Sequence, residues 1–136
     1  LVAFENGRVR ELPVDVVFPV LHGKNGEDGT VQGLLEMAGL PYVGCGVLGS
    51  ALCMDKVCAN LVMDAAGIAR CEWDYMEAWQ LADFDAIERR VAEKLHYPIF
   101  VKPANAGSSV GISKAADKAA LRAAVELAPH SCPKRR

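Results

Sequence analysis

The stretch VDVVFPV (Val14–Val20) constrains the fold more than any other. It is β-prone and apolar on both faces, the pattern of a parallel strand buried between two layers. Pro19 counts against a central position, because it has no N–H to give a ladder. Directly after it, HGKNGEDG (His22–Gly29) crowds small and polar residues into the place where a strand hands over to a loop. TVQGLLEMAGL (Thr30–Leu40) then predicts a helix. Val31, Leu34, Leu35 and Ala38 share one face, and Gly39 supplies the stop. PYV (Pro41–Val43) reads as a short extended piece. A β–loop–α–β order of this kind predicts an α/β layer.

The second half reads differently. MDKVCANLVMDAAG (Met54–Gly67) predicts a helix capped by Asp55, with Val57, Leu61, Val62 and Ala65 as its apolar stripe. CEWDYM (Cys71–Met76) predicts a strand. DAIERRVAEKLH (Asp85–His96) predicts a helix with Asp85 and Glu88 as a capping box and Ile87, Val91 and Leu95 repeating each turn. YPIFVKP (Tyr97–Pro103), the small-residue turn ANAGS and SVGISKA (Ser109–Ala115) predict strand, turn and returning strand. A helix near Asp117–Ala128 follows. The half is therefore α+β, and the boundary between the two is expected near Gly46–Ser50.

Composition excludes several functions. A net charge of -2 over 136 residues and a pI near 5.9 argue against a broad basic face for nucleic acid. No apolar run reaches membrane-spanning length and no signal-peptide pattern is seen. The five cysteines (Cys45, Cys53, Cys58, Cys71 and Cys132) form no C-x-x-C pair, which argues against a zinc site or a full disulfide framework and for a reducing cytosol. The chain starts at Leu1 and stops at an unpatterned PHSCPKRR, so it reads as a fragment.

Five features bear on chemistry. NAGSSVG (Asn105–Gly111) is a phosphate candidate: Gly107 and Gly111 let backbone N–H groups turn toward an anion, and Ser108 and Ser109 add hydroxyls. It lacks the G-K-[ST] ending of a Walker A loop, so a hairpin flap over phosphates is the better reading, with an ordinary flexible hairpin as the bland one. Lys102 stands within the strand IFVKP, where a buried ammonium is costly without an anion, unless it snorkels to water. Lys56 lies in a helix's first turn, where the macrodipole disfavours a cation unless Asp55 or a bound anion compensates it. His22 ends the first strand, where open α/β sheets bind ligands, although a lone histidine often serves only as a structural hydrogen-bonder. GCGVLG (Gly44–Gly49) matches the dinucleotide fingerprint G-x-G-x-x-G, but no acidic residue ends a strand at the right distance.

LHGKNGEDGTVQGLLEMAGLPYVGCGVLGSALCMDK (Leu21–Lys56) resembles the N-terminal signature of D-alanine–D-alanine ligases, and YPIFVKPANAGSSVGISKA (Tyr97–Ala115) resembles the central ATP-grasp segment of the same family. The two blocks stand in the right order, and the resemblance covers most of residues 14–128. Ligases that make D-alanyl-D-lactate or D-alanyl-D-serine share the pattern. The fold implied is α/β: a partial Rossmann-like pre-ATP-grasp domain over residues 1–47, then the α+β central subdomain of an ATP-grasp fold over 48–136, with 129–136 a disordered tail.

The resemblance also implies a reaction. ATP phosphorylates the carboxylate of one D-alanine, a second D-amino acid attacks the acyl phosphate, and the dipeptide enters peptidoglycan precursors. By position, His22 would sit beside the first D-alanine, and Lys56 and Lys102 would contact nucleotide phosphates. Ser108, with the backbone of Gly107, Ser109, Val110 and Gly111, would lie over the transferring phosphoryl group. ATP and D-alanine are the implied partners, in a cytoplasmic homodimer. No metal ligand is assigned within these residues; the family's Mg²⁺ ligands are expected in a missing C-terminal part, so the fragment alone is expected to be inactive. The alternatives are a non-catalytic nucleotide-binding module, a ligase for another second substrate, or another ATP-grasp ligase.

Overall fold

The computed structural model describes residues 2–107 and 111–128. The chain divides into two compact units, Leu1–Ala51 and Leu52–Arg136.

The first unit opens with a hairpin, β1 (Val2–Glu5) and β2 (Arg8–Glu11), paired antiparallel with Phe4 opposite Val9 and Glu5 opposite Arg8. The two-residue loop between them is Asn6-Gly7, both with positive φ, which suits the twist of a tight hairpin. That dipeptide is the sequence signal for a hairpin that the hydrophobic pattern does not reveal.

Val14–Val20 is not a full strand. Its only pairing among the described residues is a single parallel bridge from Val17 to Tyr42. The Val17 N–H donates to Pro41 O at 2.8 Å and the Val43 N–H donates to Val17 O at 2.9 Å. The helix α1 (Thr30–Met37) lies between the two bridged segments in sequence, so the expected β–α–β order is present in outline. Val16, Phe18 and Val20 are exposed rather than sandwiched. A strand exists only where a neighbour takes its backbone groups, and here one residue has such a neighbour. Within α1 the face is also corrected: Leu35 is buried, Leu34 and Ala38 are exposed, and the second buried residue is Gln32. Gly39, at φ 65°, follows the C-cap Ala38 as expected.

A helix that the pattern does not foretell, α2 (Val47–Met54), carries the chain from one unit to the next. Its sequence VLGSALCM is apolar nearly all round, so it shows no helical period.

The second unit begins with α3 (Lys56–Ala65), capped by Asp55 as expected, but its expected stripe is not buried: Leu61, Val62 and Ala65 are exposed and Val57 is half-buried. Cys71–Met76 forms no strand; a salt bridge from Arg90 to Asp74 and an Arg90 hydrogen bond to Tyr75 O fasten it to the helix that follows instead. A 3₁₀ turn (Ala78–Asp83) leads into α4 (Phe84–Leu95). The cap of α4 is Asp83, not Asp85, whose carboxylate pairs with Lys118; the capping box belongs to Glu77 and Gln80 ahead of the 3₁₀ turn. Strands β3 (Ile99–Val101) and β4 (Ser113–Ala115) pair antiparallel, Ile99 opposite Ala115 and Val101 opposite Ser113. Helix α5 (Lys118–Leu127), capped by Asp117, packs against this hairpin. The core is Phe84, Ile99, Ala115, Leu121 and Val125, with Val91 and Leu95 packed against it. The expected repeat on α4 thus faces inward, led by Phe84.

Candidate functional site

The glycine-rich loop after Val20 is built by its own acids. The Gly23 N–H donates to the Glu27 carboxylate, and the Glu27 N–H returns a bond to Gly23 O at 2.9 Å. Asp28 accepts from the Asn25 N–H at 2.9 Å and the Thr30 N–H at 3.1 Å. Those bonds, the one from Asn25 foremost, hold the Asp28 carboxyl below the usual carboxylate range. The glycines are sterically required in two places. At Gly26 a Cβ would fall 2.5 Å from Leu21 Cβ, and at Gly29, where φ is +89°, one would fall 2.7 Å from Val47 O. Glu27 and Asp28 are therefore fasteners of a turn into α1. His22 stands exposed at the start of this loop, in the first unit.

In the second unit the start of α3 meets the loop that leaves β3. The Lys56 backbone N–H donates to Ala104 O at 3.0 Å. Its ammonium donates to Ala106 O at 2.6 Å, with Ala104 O at 3.5 Å. Asp55 divides its carboxylate. Oδ1 accepts the Val57 and Cys58 N–H groups at 2.9 and 3.0 Å, and Oδ2 accepts the Asn105 side-chain amide at 2.8 Å. Burial works to raise the Asp55 pKa, but the bonds from Cys58, Asn105 and Val57 outweigh it and leave it below its ordinary value. Lys56 is thus compensated by loop carbonyls rather than by Asp55 alone.

Lys102 is exposed, one residue past the end of β3, so the burial argument for an anion at that position does not hold. Its place is nevertheless informative. Val101 pairs with Ser113, so Lys102 is the first residue of the connection between the hairpin strands. Gly107 lies on that connection directly after Ala106, and Gly111 takes φ +75° on its return, a left-handed conformation that glycine accepts at no steric cost. Ser108, Ser109 and Val110 lie outside the described residues. Lys56 and the loop 104–107 are therefore brought together across 48 to 50 positions of sequence. His22 belongs to the other unit. The Asp55–Asn105 bond has no local sequence signal, since its partners are 50 residues apart.

Comparison with known proteins decides the family. Residues 3–45 match the D-ala D-ala ligase N-terminus and residues 62–133 the D-ala D-ala ligase C-terminus. The chain belongs to the D-alanine–D-alanine ligase family. A D-alanine–D-alanine ligase of Acetivibrio thermocellus is 52% identical over 124 residues, which are 90% of this chain and 32% of that protein. One from Deinococcus radiodurans is 57% identical over 116 residues, covering 84% of this chain and 34% of its own length. Among solved structures, the VanG D-Ala:D-Ser ligase of Enterococcus faecalis superposes with a TM-score of 0.77 at 49% identity, over 89% of this chain and 34% of that one. The D-alanyl-alanine synthetase A of Vibrio cholerae gives 0.79 at 32% identity, over 94% and 40%. The chain thus spans about a third of the length of the curated family members it matches. The α/β, ATP-grasp-type fold expected from the two sequence blocks is the fold of these relatives.

Proposed function

We propose that this chain forms the phosphate-binding part, and one wall of the first D-alanine site, of a cytoplasmic ligase that joins two D-amino acids at the expense of ATP. In this reading the γ-phosphoryl group passes to the carboxylate of one D-alanine, giving an acyl phosphate and ADP. The amine of the second D-amino acid attacks the acyl carbon, and inorganic phosphate leaves. Phosphoryl transfer depends mainly on positioning and on neutralising charge, which lysines and backbone N–H groups do without reacting.

The roles follow from chemistry. Lys56 supplies a point charge to the nucleotide phosphates, and Lys102, free to swing from the mouth of the hairpin, supplies a second. Gly107, Ser108, Ser109, Val110 and Gly111 close over the transferring group with backbone and hydroxyl donors. His22 hydrogen-bonds the first D-alanine or its acyl phosphate. Among the described residues no three His, Cys, Asp or Glu side chains are grouped to hold a metal ion. Magnesium, in this reading, is held by residues other than these, and no step here runs through it.

One observation carries the proposal: the ammonium of Lys56 sits on the carbonyls of Ala104 and Ala106, at the foot of the glycine-rich turn. A lysine held there needs only to exchange those carbonyls for a phosphate. Titration calorimetry of the chain with a nonhydrolysable ATP analogue tests this. Saturable binding is expected, with Lys56→Met weakening it roughly 10- to 100-fold, the worth of a charge-assisted hydrogen bond. No binding by the unaltered chain, or an indifferent Lys56→Met, contradicts it. A coupled assay of the 136 residues alone is expected to show no D-alanine-dependent ADP release. D-alanine as the second substrate follows the curated relatives; the 49% identity to a D-Ala:D-Ser ligase means that this stretch is compatible with D-serine too.

A further inference from the structure

Resting on that phosphate-site reading, we propose that Asp55 and Asn105 are positioning residues: their hydrogen bond latches the glycine-rich loop to the start of α3. Lys56 ties the loop through a side chain that a phosphate would also draw on. Its ammonium donates to Ala106 O at 2.6 Å, and a phosphate that draws the ammonium away loosens that tie. Two ties do not involve the ammonium: the Lys56 N–H to Ala104 O at 3.0 Å, and the Asn105 amide to Asp55 Oδ2 at 2.8 Å. The second is the only side-chain bond from the loop to α3 that survives among the hydrogen bonds described above.

Asp55 suits the task because its two oxygens are separately engaged. Oδ1 is occupied by the first turn of α3, which fixes the carboxylate's orientation, and Oδ2 is left facing the loop. An acceptor already locked by two backbone N–H groups loses little further freedom when Asn105 docks on it. The loop thus keeps its register on α3 while the ammonium exchanges partners.

The test breaks the latch from each side while sparing the helix cap. Asn105→Ala removes the donor from an exposed loop residue. Asp55→Ser retains a capping oxygen, since serine is a good N-cap, but is too short to reach the loop. Amide hydrogen exchange of the whole chain without nucleotide is the first readout. Both variants, and the double variant equally, are expected to speed exchange of the Lys56 N–H, which is bonded to Ala104 O, while the Cys58 N–H stays protected. Affinity for the ATP analogue is the second. Each single variant is expected to weaken it about 5- to 10-fold, the worth of one hydrogen bond, and the double variant no further. Unchanged Lys56 exchange, unchanged affinity in a variant whose Lys56 exchange has risen, or losses that multiply in the double variant overturn the proposal. Absence of nucleotide binding by the unaltered chain overturns instead the phosphate-site reading, and the exchange comparison still decides whether the latch exists.

Discussion

The two units use similar apolar sequence to different effect. In Leu52–Arg136, Phe84, Ile99, Leu121 and Val125 come from a helix, a strand and a second helix, and each finds the others. In Leu1–Ala51, Leu35 is the one buried large hydrophobic side chain among the described residues, while Val16, Phe18, Val20 and Met37 stay exposed. Apolar pattern states that a segment is made to be covered; it does not state that the cover lies nearby in sequence. A helix and a hairpin satisfy their own backbone groups and need one apolar face covered. A strand with both faces apolar needs neighbours on two edges and two faces. The second unit is made of elements with short-range needs, and the first is organised around an element with long-range ones.

The sharpest way to break this contrast is truncation on each side of it. Leu121→Ala is expected to cost about 2–5 kcal/mol of unfolding free energy, the usual range for a buried leucine, whereas Phe18→Ala is expected to stay within about 0.5 kcal/mol. Denaturant unfolding followed by tryptophan fluorescence reads the second unit directly, because both tryptophans, Trp73 and Trp79, belong to it. Hydrogen exchange at the Val17 and Val43 N–H groups, which form the single bridge, reads the first. Equal losses from the two substitutions would mean that Phe18 is covered and the contrast false.

Gly29→Ala probes what holds the first unit in place of a core. A residue with a Cβ there meets both an unfavourable φ of +89° and the carbonyl of Val47. A cost of about 1–3 kcal/mol is expected, read as faster exchange at Val17, with Trp fluorescence unfolding unmoved. If fluorescence shifts as much as exchange, the units do not unfold separately.

Acid gives the smallest effect and sharpens the comparison, since each unit has a carboxylate at a helix start whose backbone hydrogen bonds lower its pKa. Asp28 and Asp55 both lie below the ordinary 3.8 when folded. A depressed folded pKa contributes stability that is fully present above the unfolded value and is lost as pH falls through the folded one. Exchange at Thr30 and at Cys58, whose N–H groups these carboxylates accept, is therefore expected to quicken only below about pH 4. Loss of protection between pH 5 and 7 would point to another group.

Legibility in the sequence follows the same division. Helices α3 and α5 are readable from their caps, Asp55 and Asp117; α5 also buries Leu121, Ala124 and Val125, whereas the expected stripe of α3 stays largely uncovered. The hairpin of β3 and β4 is readable from its glycine-rich turn. The cap of α4 is misread by two residues because Asp83 and Asp85 are equally good locally; the choice is made by Lys118, which claims Asp85 from another helix. Cys71–Met76 has strand composition but is held by Arg90 rather than by a ladder. In the candidate site, Lys56 and the loop stand out as separate motifs and as blocks of family resemblance. Their meeting at Ala104 and Ala106, and the bond from Asp55 to Asn105, join residues some fifty positions apart and are visible only in three dimensions.

The central claim is that the start of α3 and the loop after β3 form one phosphate-binding foot. Backbone amide chemical shifts of the isotopically labelled chain, followed while an ATP analogue is added, test it most directly. The account predicts saturable shifts concentrated at Lys56, Val57 and Ala104–Gly107, with Val2–Glu11 unmoved. Shifts that avoid both Lys56 and the loop, or that move one and leave the other still, would contradict it.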